Sequence, residues 1–303
     1  MPWHAKLQLH YRRDGERTGA HDRHEGPLRV LQRLYPEGPG ICHHVLVHPP
    51  GGIVGGDVLE LQARLERDCH ALITTPGATR FYRSAGETAA QRVQATLAEG
   101  ARLEWLPLET IAHSACLAHN SLRFELAAGA EMIGWDLLAL GLPAARRPFE
   151  QGCFTQQLEL PGAWLERGCI DAADTRLLQS PLGWGGRRVL ATLWFAAGSA
   201  LSAARRDALL DAARDAIAAG AMADDGFAAA AAGAAGASAP DAMAADGAPR
   251  VDAGATAPHE RVVVLRALAH RVEPAMRLLQ QVWGAWRGVG WGLAATPPRL
   301  WRT

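Results

Sequence analysis

Cys42, His43, His44 and His48 are the residues of this 303-residue chain best suited to holding a borderline-soft metal ion, because positions 44 and 48 of an extended segment turn to the same side. Neither an H-E-x-x-H pattern nor a paired cysteine follows to complete a site, so any binding through Cys42, His44 and His48 is expected to be transient. The carboxylates that could meet a cation or move a proton, Asp57, Glu60, Glu109, Asp136 and Glu166, are dispersed along the chain. They form no recognisable general acid–base pair, and no G-x-S-x-G elbow is present. Cys116 lies between His113 and His119, but closeness in sequence does not build a thiolate nucleophile, and packing is the expected role.

Two loop motifs stand beside these residues. Pro49 to Asp57 places Gly51, Gly52, Gly55 and Gly56 within six positions, which permits positive φ and close approach of another surface, while the two prolines fix the entry. A tight turn accounts for part of the pattern, and contact with a partner or a pore is the further expectation. No Gly-Lys-Ser/Thr follows and the G-x-G-x-x-G spacing is absent, which argues against nucleotide binding. Thr74 to Tyr82 combines hydroxyls, a Pro-Gly turn, a cation and two aromatics, so Arg80 and Tyr82 are candidate anchors for a protein contact.

The elements that must position these residues are mostly strands. Leu59, Leu61, Ala63 and Leu65 alternate with Glu60, Gln62, Arg64 and Glu66, and the same period of two returns around Val93–Leu97, Leu103–Trp105 and Leu122–Leu126. Breaks at Asp68-Cys69, Gly100-Ala101, Gly129-Ala130 and Gly162-Ala163 recur at spacings of 32, 29 and 33 residues (100 − 68, 129 − 100, 162 − 129). The period predicts a mainly β fold, as stacked hairpins or an elongated β-helix-like body, with an ordinary meander in a sandwich as the alternative.

About two α-helices are expected in the C-terminal third. One is capped by Ser202, carries Leu209, Leu210, Ala213 and Ile217 on one face and ends near Gly220; the other starts at Pro274 and presents Leu278, Leu279, Val282 and Trp286. Between them, 221–258 is almost wholly Ala, Gly, Asp, Ser and Pro, and reads as a low-complexity mobile insertion in a single domain spanning 1–303.

Thirty-one basic residues balance 31 acidic ones, so no net field draws the chain to nucleic acid or to a membrane. Five scattered cysteines form no C-x-x-C, so no disulfide framework is expected. With no secretory signal pattern and no run of about 18 apolar residues, a cytoplasmic protein is expected.

The landmarks taken together resemble the urease accessory protein family UreD, called UreH in some organisms. They are Gly26-Pro27-Leu28-Arg29-Val30, Tyr35-Pro36-Glu37-Gly38, His48 to Asp57, Thr74 to Tyr82, Trp105-Leu106-Pro107 with Glu109, Leu140-Gly141 and Pro298-Arg299-Leu300-Trp301. The chain departs from the family pattern at Arg80, usually Lys, at Leu108, usually Gln, and at Leu142, usually Arg. The resemblance implies a non-catalytic scaffold that binds apo-urease and a UreF-like protein, through which a nickel-carrying UreG-like GTPase is recruited. It implies transient passage of Ni²⁺ through the body and no permanent cofactor. Asp57, Glu60, Glu109, Asp136 and Glu166 then become candidates for the nickel path, with Cys42, His44 and His48 beside them. A conduit needs ligands weak enough to release the ion, which dispersed carboxylates supply. A β-helical hydrolase or lyase using the scattered carboxylates, or a small nickel-binding protein, are the alternatives.

Overall fold

The computed structural model describes residues 2–142, 145–234 and 251–302. Two sheets face each other. The outer sheet runs β14 (Trp164–Asp171), β13 (Gly152–Leu160), β11 (Cys116–Leu126), β8 (Ala89–Leu97), β5 (Val58–Leu65), β1 (His4–Asp14), β2 (Arg17–Glu25). The covered sheet runs β16 (Asp252–His259), β17 (Val262–Ala269), β15 (Val189–Ala197), β12 (Glu131–Leu140), β9 (Arg102–Leu106), β6 (His70–Thr74), β4 (Ile41–Val47), β3 (Arg29–Val30). Short β7 (Thr79–Phe81) and β10 (Thr110–Ala112) extend this second sheet beside β12.

The centre of the molecule is a β-helix-like stack of coils. Each coil places one strand in the outer sheet, turns sharply, and places the next in the covered sheet. Val58 pairs with Ala90 and His70 with Arg102, both 32 residues apart (90 − 58, 102 − 70). Ala89 pairs with Ala118 and Arg102 with Glu131, both 29 apart (118 − 89, 131 − 102). These offsets are the predicted 32 and 29, but the strands flanking each break lie in opposite sheets and are not hairpins. The third spacing, 33, belongs to something else: β13 and β14 form an antiparallel hairpin within the outer sheet. Each tight turn needs a left-handed residue at one position, occupied in successive coils by Asp68 (φ 59°), Gly100 (φ 72°) and Gly129 (φ 77°).

The outer sheet has one wet face, so its strands alternate between buried and exposed residues. The covered sheet is buried on both faces, and β6 and β12 show almost no alternation. Its far face is sealed by α2 (Ala203–Ala234) and α3 (Val272–Trp291), the short α1 (Thr175–Gln179) being a third helix. The Ser202 hydroxyl accepts from Arg205 N (3.3 Å) at the start of α2. Pro274 sits in the first turn of α3, and Gly292 (φ 65°) ends it. Helix α2 continues past Gly220 to Ala234, and β16 begins at Asp252, so the tract 221–258 is not one loop; its middle, 235–250, lies outside the described residues.

The disulfide expectation is corrected: Cys153 and Cys169 are joined across the β13–β14 hairpin, where Thr155 and Cys169 are register partners. The two thiols are 16 positions apart in sequence and meet only because the chain reverses between them. Cys42, Cys69 and Cys116 are buried and unpaired.

Helix α3 is fastened to the covered sheet by charge as well as by apolar packing. Arg287, fully buried, places its Nε 3.2 Å from Glu104 and a terminal nitrogen 2.9 Å from Glu37. Glu104 also accepts from Trp283 Nε1 (2.6 Å) and from His70 Nε2 (2.8 Å), while Glu37 accepts from His43 Nε2 (2.9 Å). Burial pushes the Glu37 carboxyl up, but the His43 bond and the Arg287 charge outweigh it and hold the carboxyl below its usual range.

The glycine loop is shaped from within. A Cβ on Gly52 would lie 2.0 Å from the Tyr82 ring, and one on Gly55 would lie 2.5 Å from the Ser84 hydroxyl. Gly51 (φ 77°) and Gly56 (φ 87°) hold positive φ. Asp57 clamps the loop by accepting from Trp3 N (2.7 Å) and Val54 N (3.0 Å). All four glycines therefore have reasons inside the chain, and the doubled pairs need no partner to explain them.

Two outcomes are expected. Arg287→Met strands two buried carboxylates and should cost about 3–5 kcal/mol in urea unfolding; adding Glu104→Gln should recover part of that loss, and strictly additive costs would disprove the coupling. Gly52→Ala should destabilise by about 1–3 kcal/mol through the Tyr82 ring. In a Tyr82→Ala background the same change should cost little, as a thermal-melt double-mutant cycle would reveal.

Candidate functional site

The space between the sheets holds the chemistry. A cavity of about 260 Å³ lies beneath the glycine loop, lined by His48, Gly51 and Gly52 from one side and by Thr75 to Arg80 from the other. The two loop motifs picked out in the sequence therefore wall one chamber. A second cavity, about 500 Å³, lies at the β13–β14 end and is lined by Gln156, Glu166, Thr192 and Arg266 among others.

A row of polar side chains crosses the interior between these cavities. Gln91, which lines the first, donates from Nε2 to Asn120 Oδ1 (3.1 Å). Asn120 donates from Nδ2 to Asp136 Oδ1 (3.2 Å). Gln156, which lines the second cavity, donates to Asp136 Oδ2. Gln91, Asn120 and Gln156 are consecutive register partners on the outer sheet. Asp136, Thr192 and Arg266 are consecutive partners on the covered sheet. One polar layer thus crosses the core between the two sheets. Burial raises the Asp136 carboxyl to about 6, against the opposing pull of the two amide donors.

The predicted residues divide three ways. Arg80, Asp136 and Glu166 join this system: Arg80 lines the first cavity, Asp136 sits in the row, and Glu166 lines the second and pairs with Arg266. Asp57 is committed to clamping its loop, both carboxylate oxygens being occupied. Glu60 faces outward from the outer sheet, meeting His4 and Arg92 at 3.3 Å each. Glu109 is half-buried just before β10, its carbonyl accepting from Thr79 N (2.9 Å). Tyr82 packs over Gly52 and against the His113 ring, with centroids 4.8 Å apart.

The Cys42, His44 and His48 trio does not converge. His44 Nδ1 bonds the Tyr11 hydroxyl (2.7 Å), and burial holds its imidazole down to about 4. His48 turns into the first cavity, where burial lowers its pKa too. Among the described residues no three His, Cys, Asp or Glu side chains come close enough to hold a metal ion together. Burial pushes the Cys116 thiol up to about 11, which suits packing and not nucleophilic attack.

Sequence reasoning missed His70, Glu104 and Arg287, and also Asn120 and Gln156, and it read His43 as a metal candidate where the structure gives it to Glu37. Among the described residues no helix is long and apolar enough to cross a membrane.

Residues 4–302 match the family described as UreD urease accessory protein. The chain is 61% identical over 305 residues to the urease accessory protein UreD of Leptothrix cholodnii, with all of both chains covered. It is 55% identical over 303 residues to that of Variovorax paradoxus, again over the whole of both. With the protein of the same name from Paracidovorax citrulli it shares 56% identity over 301 residues, covering 99% of each. A match across the full chain, on a stacked-coil body with its helices late in the sequence, makes this chain a member of the UreD urease accessory protein family.

Proposed function

We propose that this chain is a non-catalytic cytoplasmic scaffold that binds apo-urease together with UreF-like and UreG-like proteins and hands Ni²⁺ towards the urease active site. Family membership supports the urease connection. The observation that carries the ion-handling part is the buried polar row centred on Asp136, which links two cavities through the core. A desolvated layer of amides around one carboxylate costs stability and packs less well than leucine would. Such a layer makes sense where something polar must cross.

The same chemistry fits weak, transient contact. One carboxylate and a few amide and hydroxyl oxygens can replace part of the hydration of Ni²⁺ without caging it. Glu166 and Arg266 then flank one mouth, while the cationic Arg80 marks the other. Asp57 and Glu60 act on this reading as loop clamp and outer-surface charge, not as lining.

The test is Asp136→Asn in cells co-expressing urease and its accessory proteins. The nickel content of urease should fall several-fold while pull-down of apo-urease and the UreF-like partner is retained; unchanged nickel would remove the pathway. The protonation sign gives a second readout. Because folding raises the Asp136 pKa from 3.8 to about 6, this group contributes stability below pH 3.8 that is lost as pH rises through 6. Asp136→Asn should therefore melt higher relative to the parent at pH 7.5 than at pH 4.5, by on the order of 2 kcal/mol. A difference independent of pH would contradict the burial of an ionised carboxylate.

A further inference from the structure

The cavity beneath the glycine loop is built differently from the polar row it adjoins. Among the described residues lining it there is no Asp or Glu. Its charged group is Arg80, exposed at the rim. Thr75 Oγ1 already accepts from Leu108 N (2.9 Å), which leaves its proton free to donate elsewhere. Trp105 is 4% exposed and lines the cavity, yet its indole N–H, a donor only, meets no acceptor in the protein. The Nε2 of His48 is likewise buried and unpartnered on the same wall. An orphaned buried donor costs about 1–3 kcal/mol, so the chamber is poised for an acceptor that the chain itself does not supply.

Apart from Thr79 and Gln91, whose amide nitrogen is taken up by Asn120, the remaining lining is mostly apolar, with Leu59, Leu61, Val93 and Pro107 forming much of it. With no carboxylate on its wall, the chamber offers a divalent cation passing contact with His48 against repulsion from Arg80, so a cation can cross it but is not retained there. An inorganic anion would satisfy the donors and leave the apolar walls wet. A volume of about 260 Å³ sits near the lower edge of the range for small-molecule sites, roughly 300 Å³ upward. The positive side of the chamber extends past its rim, since Arg80 and Arg147, after burial, both lower the pKa of His113, the ring stacked on Tyr82 over Gly52.

We propose that this cavity binds a small monocarboxylate with an apolar body, its carboxylate held by Arg80, Thr79 and the Trp105 indole N–H and its body lying against Leu61 and Val93. Arg80 offers a charge-assisted and sterically forked contact that a lysine would not reproduce. The site shares its cavity and Arg80 with one mouth of the proposed nickel path, but ligand binding is read on the isolated chain, so urease activation does not decide it.

The experiment titrates hexanoate into the full-length chain at pH 7.5, following heat and tryptophan fluorescence, with hexanol and hexylammonium as uncharged and cationic counterparts. Hexanoate should bind saturably, hexanol about tenfold more weakly, and hexylammonium not at all. Arg80→Gln should weaken hexanoate by about tenfold without shifting the thermal midpoint, and Trp105→Phe should remove the fluorescence change. If Arg80→Gln proves unstable, Thr79→Val, which keeps the side-chain shape, should still lower affinity severalfold. The proposal is overturned if hexanoate shows no saturation up to about 10 mM, if hexylammonium binds as well, or if binding is indifferent to both rim variants.

Discussion

Glu104 has no access to water, and the arrangement of the covered sheet follows from that. A carboxylate in this position must find its partners within the protein, and it finds them in two distant stretches of chain: His70 on the neighbouring strand β6 and Trp283 on α3 donate to it, with the Arg287 guanidinium of α3 beside it. Through Arg287 it is coupled to Glu37, and through Glu37 to His43 on β4. The first forty residues, the middle coils and the last helix are thereby held in one register. Apolar packing of α2 and α3 could be satisfied in several rotational settings, but the charge network accepts few.

A second polar system lies on the opposite face of the same sheet. Asp136, Asn120, Gln91 and Gln156 are satisfied by one another, so their burial is tolerable, yet the layer contributes less than hydrocarbon would. The two systems differ in character. The Glu104 network is over-determined, with a guanidinium to balance its carboxylates; the Asp136 row has no cation among its hydrogen-bonded members and leaves the carboxyl near the middle of its titration at mildly acidic pH. One suits holding, the other suits exchange.

Much of the fold was legible in the residues. The spacings of 32 and 29 between turn signals are the coil offsets themselves, because a stacked coil repeats its turn chemistry at each level. The outer sheet's alternation was legible because one face is wet. Where both faces are covered, alternation fails: Glu104 stands between Leu103 and Trp105 in a pattern that reads as half-exposed, although helices from the far end of the chain bury it. The Asp136 candidate was found and the Asn120 and Gln156 partners were not, since amides on a strand carry no sign of which face will close over them. The glycine pairs were noticed for the right property, close approach, while the surface approaching them, the Tyr82 ring, came from the same chain. The Cys153–Cys169 link was invisible because spacing cannot say which strands form a hairpin.

The two ends of the coil stack are unequal. At one end the strands are joined by turns of a few residues whose left-handed positions sit one above another. At the other end the returns are long, and they carry the glycine loop, the Thr74–Tyr82 segment and the stretch from Pro107 to Ala115. A residue added to a tight turn would shift the strand that follows it against its neighbours and exchange inward for outward side chains along that strand. A residue added to a return loop would disturb only its own neighbourhood. The architecture therefore separates a length-constrained spine from an adaptable crown, so new recognition chemistry can be acquired at one pole of the molecule while the packing beneath it is left untouched.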